Sequence, residues 1–196
     1  WTLPNGHEIA KTLGITRSNI TFVGTGKDTA TLLGGLAIYN HENITFKLMT
    51  VTNTSTVGRG IHMSNAKVEL IDVAIKGCGR DCIRILTPTS ETTLVATRCE
   101  FANSSDGAVV KGSLTSATFN NCVFHDNSDD GVFVSESTIH LHGDATAIHS
   151  NGDNGIVAYS FGKVIIHLPS HHNTTYDNGQ EDRLAFGGST ITNVED

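Results

Sequence analysis

Three stretches of the chain are copies of one another: FANSSDGAVVKG from Phe101, HDNSDDGVFVSE from His125 and HSNGDNGIVAYS from His149. Asn103, Asn127 and Asn151 recur at a constant interval, and Gly107, Gly131 and Gly155 recur at the same one. A period in the low twenties admits few architectures. A unit this short cannot bury an apolar face alone, so each copy must stack on the next as one coil of a solenoid. The runs after the glycines, AVV, VFV and IVA, are apolar and mostly β-branched. Flanked by Asn, Asp and Gly, they read as short strands between tight turns. Parallel stacking sets equivalent residues about 4.8 Å apart. At that spacing Asn103, Asn127 and Asn151 are predicted to form a ladder of amide hydrogen bonds. Each repeat glycine, Gly131 among them, is predicted to occupy a sharp bend at positive φ, which Gly adopts without steric cost. Val109, Phe133 and Val157 lie just beyond the glycines, at matching positions, and are predicted to share one column on one face.

The theme extends in both directions. LGIT and NITFVG mark strands of an opening coil within residues 1–35. Regular coils follow over 36–186, where Ile44, Phe46 and Leu48 alternate and CIRI (82–85) fills the slot of AVV. The coil after Lys163 is longer than its predecessors, and 187–196 supply a closing strand. No segment keeps a helical period, so helices should be few. About seven coils of roughly 22–28 residues, without a linker, make residues 1–196 a single domain. The composition agrees: 17% charged residues with 20 Gly and 3 Pro suit many polar, uncharged turns.

Several partners are disfavoured at this level. No apolar run approaches the roughly 18 residues of a membrane helix, and no signal peptide is visible in a sequence that opens at Trp1. A net charge of −7 without a basic cluster argues against nucleic acid, which needs grouped Lys and Arg to neutralise phosphates. Cys99 and Cys122 are placed inward as small core hydrophobes. Cys78 and Cys82 lack the C-x-x-C spacing of redox or zinc sites. All four are expected to be free, because coil stacking at about 4.8 Å is long for disulfide Cβ atoms, which prefer about 3.8 Å. Five N-x-S/T sequons, at Asn19, Asn43, Asn53, Asn103 and Asn173, pull toward a secretory route, so location stays open, as does oligomeric state.

These in-phase repeats resemble the parallel β-helix repeats of the pectin-lyase-like superfamily over nearly the whole chain. SNITFVGTGKDTATLLGG is similar to the first coil of many such proteins. HLHGDATAIHSN and IIHLPSHHNTTYDNGQEDR look like uncharacterised right-handed β-helix proteins of algae and their large DNA viruses. The resemblance implies an all-β fold, a right-handed parallel β-helix, and polysaccharide as the commonest substrate class. It does not carry over a complete catalytic set. Polygalacturonase-like members use NTD, DD, GHG and RIK segments; this chain has Asp129-Asp130 but neither GHG nor RIK. Lyases of the fold set an Arg or Lys base beside carboxylates that hold calcium. Arg84 and Lys111 lie near Asp81, Asp106 and Asp130 in the repeat, so such a cluster, with calcium or another divalent ion, is open. Asp106 and Asp130, one coil apart, would have carboxyls about 5 Å apart, a separation compatible with glycoside chemistry. The competing account is that an Asp before Gly accepts backbone hydrogen bonds in a tight turn.

The ten histidines are the other unusual feature. His125 and His149 are separated by the repeat interval, with His171 or His172 following; His142 and His167 are spaced almost the same, and His140 shares a strand face with His142. His125, His149, His172, His142 and His167 are therefore predicted to line a ligand surface. Stacked imidazoles suit a metal or a pH-sensitive patch, against the alternative of an outward column left by repeat duplication; no metal-ligand set is assigned. Three functions stand. One is a carbohydrate-binding module that presents a His/Asp/Asn-rich face with an occasional aromatic such as Phe133 or Tyr159. The others are a structural or assembly component and a divergent polysaccharide lyase or glycoside hydrolase.

Overall fold

The strands after the repeat glycines pair with one another in parallel, one per coil, and this builds a ladder along the molecule. The computed structural model describes residues 11–86 and 88–195. Eight strands form the first sheet, running from Thr12–Ile15 through Gly35–Tyr39, Ile61–Ser64, Ile83–Ile85, Ala108–Lys111, Val132–Ser135 and Ile156–Tyr159 to Arg183–Ala185. Eight coils result, against the roughly seven that the repeats predict, and the opening segment and the segment around Arg183 each contribute a paired strand. Thirteen further strands form a second sheet that wraps the rest of each coil. Every described pairing is parallel, as a right-handed β-helix requires. The predicted column is present: Val109 pairs Phe133, and Phe133 pairs Val157.

Like residues stack on like because each coil repeats the period-two alternation of the one before. Leu36, Ile61, Ile83, Ala108, Val132 and Ile156 form one buried column. Phe101 and Phe124 stack with ring centroids 4.8 Å apart, and Phe119 meets both edge-on. Offset and edge-to-face aromatic pairs contribute about 0.5–1.5 kcal/mol beyond the area they bury.

The coils bend at positions the repeat glycines do not mark. Leu48, Asp72, Arg98, Asn121 and Gly143 all have positive φ and follow equivalent residues of the second sheet's long strands. Gly77, Asn103, Asp126, Ser150 and Asp177 form a second such column. Two expectations change accordingly. Leu48 does not continue the inward alternation of Ile44 and Phe46; it turns the corner and stands 41% exposed. Gly107, Gly131 and Gly155 are not among the residues of positive φ. They are glycines because of close approach: a Cβ on Gly131 would lie 2.5 Å from Ile148 Cγ2 and 2.7 Å from the Gly155 carbonyl oxygen.

The asparagine ladder exists, displaced by one coil, with Asn127, Asn151 and Asn178 as its rungs. Asn127 Nδ2 donates to Asn151 Oδ1 at 2.9 Å, and Asn151 Nδ2 to Asn178 Oδ1 at 2.9 Å. Each amide also donates to a backbone carbonyl, of Phe101 or Phe124, which satisfies groups only 2% exposed. Asn103 is not a rung. Phe101 pairs Phe124, one position short of the repeat interval, so Ser104 faces Asn127, and Asn103 stands exposed as a corner residue.

Replacing Gly131 with Ala should lower stability by about 1–3 kcal/mol, the range for overpacking a close-packed site, read as a lower urea midpoint. An unchanged midpoint would mean that neighbouring coils separate freely. Leu48→Asn should act the other way, since a branched side chain at positive φ is strained and Asn tolerates it. A gain of about 0.5–1 kcal/mol is expected, in the range of other local stabilising substitutions, with no gain if the corner relaxes around leucine.

Candidate functional site

Side chains that alternate outward from the eight-stranded sheet form a face that runs along the coil axis. Its central column is His62, Arg84, Val109, Phe133, Val157 and Leu184. Beside it run Lys111, Ser135 and Tyr159. Lys111 Nζ sits 4.7 Å from the Phe133 ring centroid, a cation–π contact. Tyr159 stacks at a tilt on Phe186, 4.9 Å between centroids, and both rings are more than two-fifths exposed. At the other end Tyr39 Oη and His62 Nδ1 share a 2.7 Å hydrogen bond.

A file of carboxylates leads into this face. Asp130 N–H donates to Asp106 Oδ1 at 3.4 Å, and Asn154 donates to Asp130 Oδ1 through both its backbone N–H (3.0 Å) and Nδ2 (2.9 Å). The acid before each of these repeat glycines thus accepts from the next coil, as the turn account predicts. Asp81 continues the file and is 4% exposed; its Oδ2 accepts from Arg59 Nε at 3.0 Å and Arg84 Nη1 at 3.1 Å. Asp106 shares a side-chain hydrogen bond with Asp81. Burial first, then that bond and the neighbouring negative charges, raise the Asp106 carboxyl to about 7. Burial also raises Asp130, opposed by its bonds from Asn154. Arg84 is therefore tied to a buried carboxylate, while Lys111 rests on Phe133. The Arg59–Asp81–Arg84 cluster escaped sequence reading because Arg59 belongs to one coil and Asp81 and Arg84 to the next, with no local motif to join them.

Five of the histidines fall into two groups on either side of the Asn121/Gly143 corner. His125 and His149 stack at 5.4 Å, and Tyr176 rather than His172 completes the column at 4.9 Å from His149. The reason is register: Ile148 pairs Thr175, well beyond the repeat interval, so the residue stacked against His149 is Tyr176. His172 lies in the preceding turn, exposed, against His171. His125 is held by Asp126 at 2.7 Å and approaches Glu100 at 3.5 Å. Burial and then the charge of His125 lower the basicity of His149. The second group joins His142 and His167, whose ring centroids are 3.9 Å apart, to His140.

The four cysteines are buried and free, and burial pushes the Cys78, Cys82 and Cys122 thiols up. Among the described residues no helix is long and apolar enough to cross a membrane.

This parallel, eight-coil architecture defines a β-helix protein, and residues 59–194 match the family described as the right handed beta helix region. The chain belongs to that family. No curated protein matches it.

The raised Asp106 carboxyl has a measurable consequence. Its folded value lies above the unfolded one, so its contribution is fully present below about pH 4 and is lost as pH rises through about 7. Asp106→Asn keeps an acceptor for Asp130 N–H and supplies a neutral donor to Asp81. The variant should match the wild type near pH 4 and exceed it at pH 8 by about 1–2 kcal/mol, allowing for solvent screening of a partly exposed group. Chemical unfolding at both pH values checks this; a difference that does not change with pH would show Asp106 ionised throughout.

Proposed function

We propose that the protein is a carbohydrate-binding β-helix, whose ligand is a polysaccharide lying across successive coils on the outer face of the eight-stranded sheet. One observation carries this reading. Phe133, Tyr159 and Phe186 come from successive coils on this face, with Lys111 against Phe133 and Tyr159 against Phe186, and present rings and a cation on adjacent columns of the sheet. A sugar chain offers apolar C–H faces and hydroxyls in alternation, which aromatic rings and charged hydrogen-bonding groups complement. A polymer also matches a surface that repeats at every coil, about 4.8 Å apart. The resemblance to the pectin-lyase-like superfamily supports the substrate class by analogy of fold alone.

Binding without turnover is favoured by how the acids are used. Asp81 is paired with two guanidinium groups, and Asp130 accepts twice from Asn154. A divergent glycoside hydrolase is the second reading, favoured by the raised carboxyl of Asp106, which has the protonation a general acid needs near neutrality.

A glycan array with purified protein should return polysaccharide hits, and isothermal titration with the best of them should show at least a tenfold loss on Tyr159→Ala or Phe133→Ala. His172→Ala, outside this set of residues, should bind as the wild type does. Reducing-sugar and unsaturated-uronate assays on the same glycans should stay silent; release of product that Asp106→Asn abolishes would replace the binding reading with the hydrolase one. An array without hits would overturn both.

A further inference from the structure

On a parallel sheet, residues i and i+2 of one strand point the same way about 6.6 Å apart, and the next strand passes about 4.8 Å away. Two histidines at i and i+2 with a third on the neighbouring strand therefore converge without any loop to position them. Thr138–His142 and Lys163–His167 supply this arrangement: Ile139 and Leu141 point inward, His140 and His142 outward, and Leu141 pairs Ile166 so that His167 lies beside His142. The three imidazoles each offer one ring nitrogen, and these atoms all lie within 4.8 Å of one another. His140 Nδ1 and His167 Nε2 are already 3.0 Å apart.

We propose that His140, His142 and His167 form a binding site for a divalent transition-metal ion on the outer face of the second sheet. Imidazole nitrogens bind zinc at about 2.0–2.1 Å, which places two ligand nitrogens of one ion roughly 3.0–3.4 Å apart at tetrahedral or near-octahedral angles. The His140–His167 pair meets that separation as it stands. The third ring closes the remaining distance by rotation about its side-chain torsions, which a half-buried position on an open sheet face permits.

The donor set selects the ion. Three imidazoles without a carboxylate suit zinc, nickel, cobalt or copper, whereas calcium and magnesium take oxygen ligands. Among the described residues, the strand positions paired beside the site are Thr118 and Asn120 on one side and Thr192 and Val194 on the other, none of them an acid. Three protein ligands leave at least one coordination position directed at solvent, open to water or to a donor from a bound molecule. His125 and His149, stacked on the other side of the corner, are engaged by Asp126 and Ser150 and provide an internal control.

The test uses tag-free protein stripped with chelator and titrated with zinc chloride by calorimetry, with cobalt(II) absorption as a coordination readout. One ion should bind per chain with a dissociation constant in the micromolar range or below. His140→Ala, His142→Ala and His167→Ala should each weaken binding at least tenfold, and the His125→Ala/His149→Ala double variant should leave it unchanged. Circular dichroism confirms folding of each variant. Should any fail to fold, copper(II) broadening of wild-type imidazole proton signals identifies the ligands without mutation. Binding no tighter than millimolar, or signals broadened at His125 and His149 instead, would overturn the assignment.

Discussion

Everything in this molecule follows from the distance between coils. Parallel backbone hydrogen bonding holds each coil about 4.8 Å above the last, so a side chain meets its counterpart before it meets anything else. For apolar groups this rule is favourable at once, as in the Phe101–Phe124 stack. For asparagine it is better still, because an amide carries both donor and acceptor and can pass a hydrogen bond along the axis indefinitely. For ionisable groups the same rule is a liability, since like charges are brought together. The acid file eases this by partnering: Arg59 and Arg84 at Asp81, a carboxyl raised to about 7 at Asp106 and an amide, Asn154, beyond Asp130. The histidine stacks resolve it by lowered basicity at His140 and His149.

Much of this was legible in the sequence, and the misplaced ladder rung and the misplaced histidine share one cause. Repeat identity is not register. The glycine-following strands do align at the repeat interval, so Val109, Phe133 and Val157 fall where the repeat puts them. The preceding strands fall one position short of it between Phe101 and Phe124, which moves Asn103 out of the ladder and brings Ser104 in. Between Ile148 and Thr175 the alignment overshoots it, which exchanges His172 for Tyr176. Corners were illegible for another reason: Leu48, Asp72, Arg98, Asn121 and Gly143 share a backbone conformation but no chemistry. The pairing of Arg59 and Arg84 through Asp81 depends on how one turn stacks on another, and no linear motif encodes it.

The two outward surfaces differ in kind. On the eight-stranded sheet, rings and one cation are spread over successive coils, and the acids beside them accept hydrogen bonds and ion pairs between coils. On the second sheet, His140, His142 and His167 converge at a point. An extended ligand suits the first geometry and a small ion the second.

Coil length is not constant: the coil from Ile61 to Ile83 is shorter than the one from Ile156 to Arg183, yet both pairs keep the same column of the sheet. The surplus residues lie in the turns, and none enters a strand of that sheet. A β-helix of this kind separates two evolutionary variables that a globular core couples. Loops can lengthen, or a whole coil can be duplicated, while the spacing of every exposed group along the axis is preserved. Its surface can therefore be extended by repetition without being redesigned.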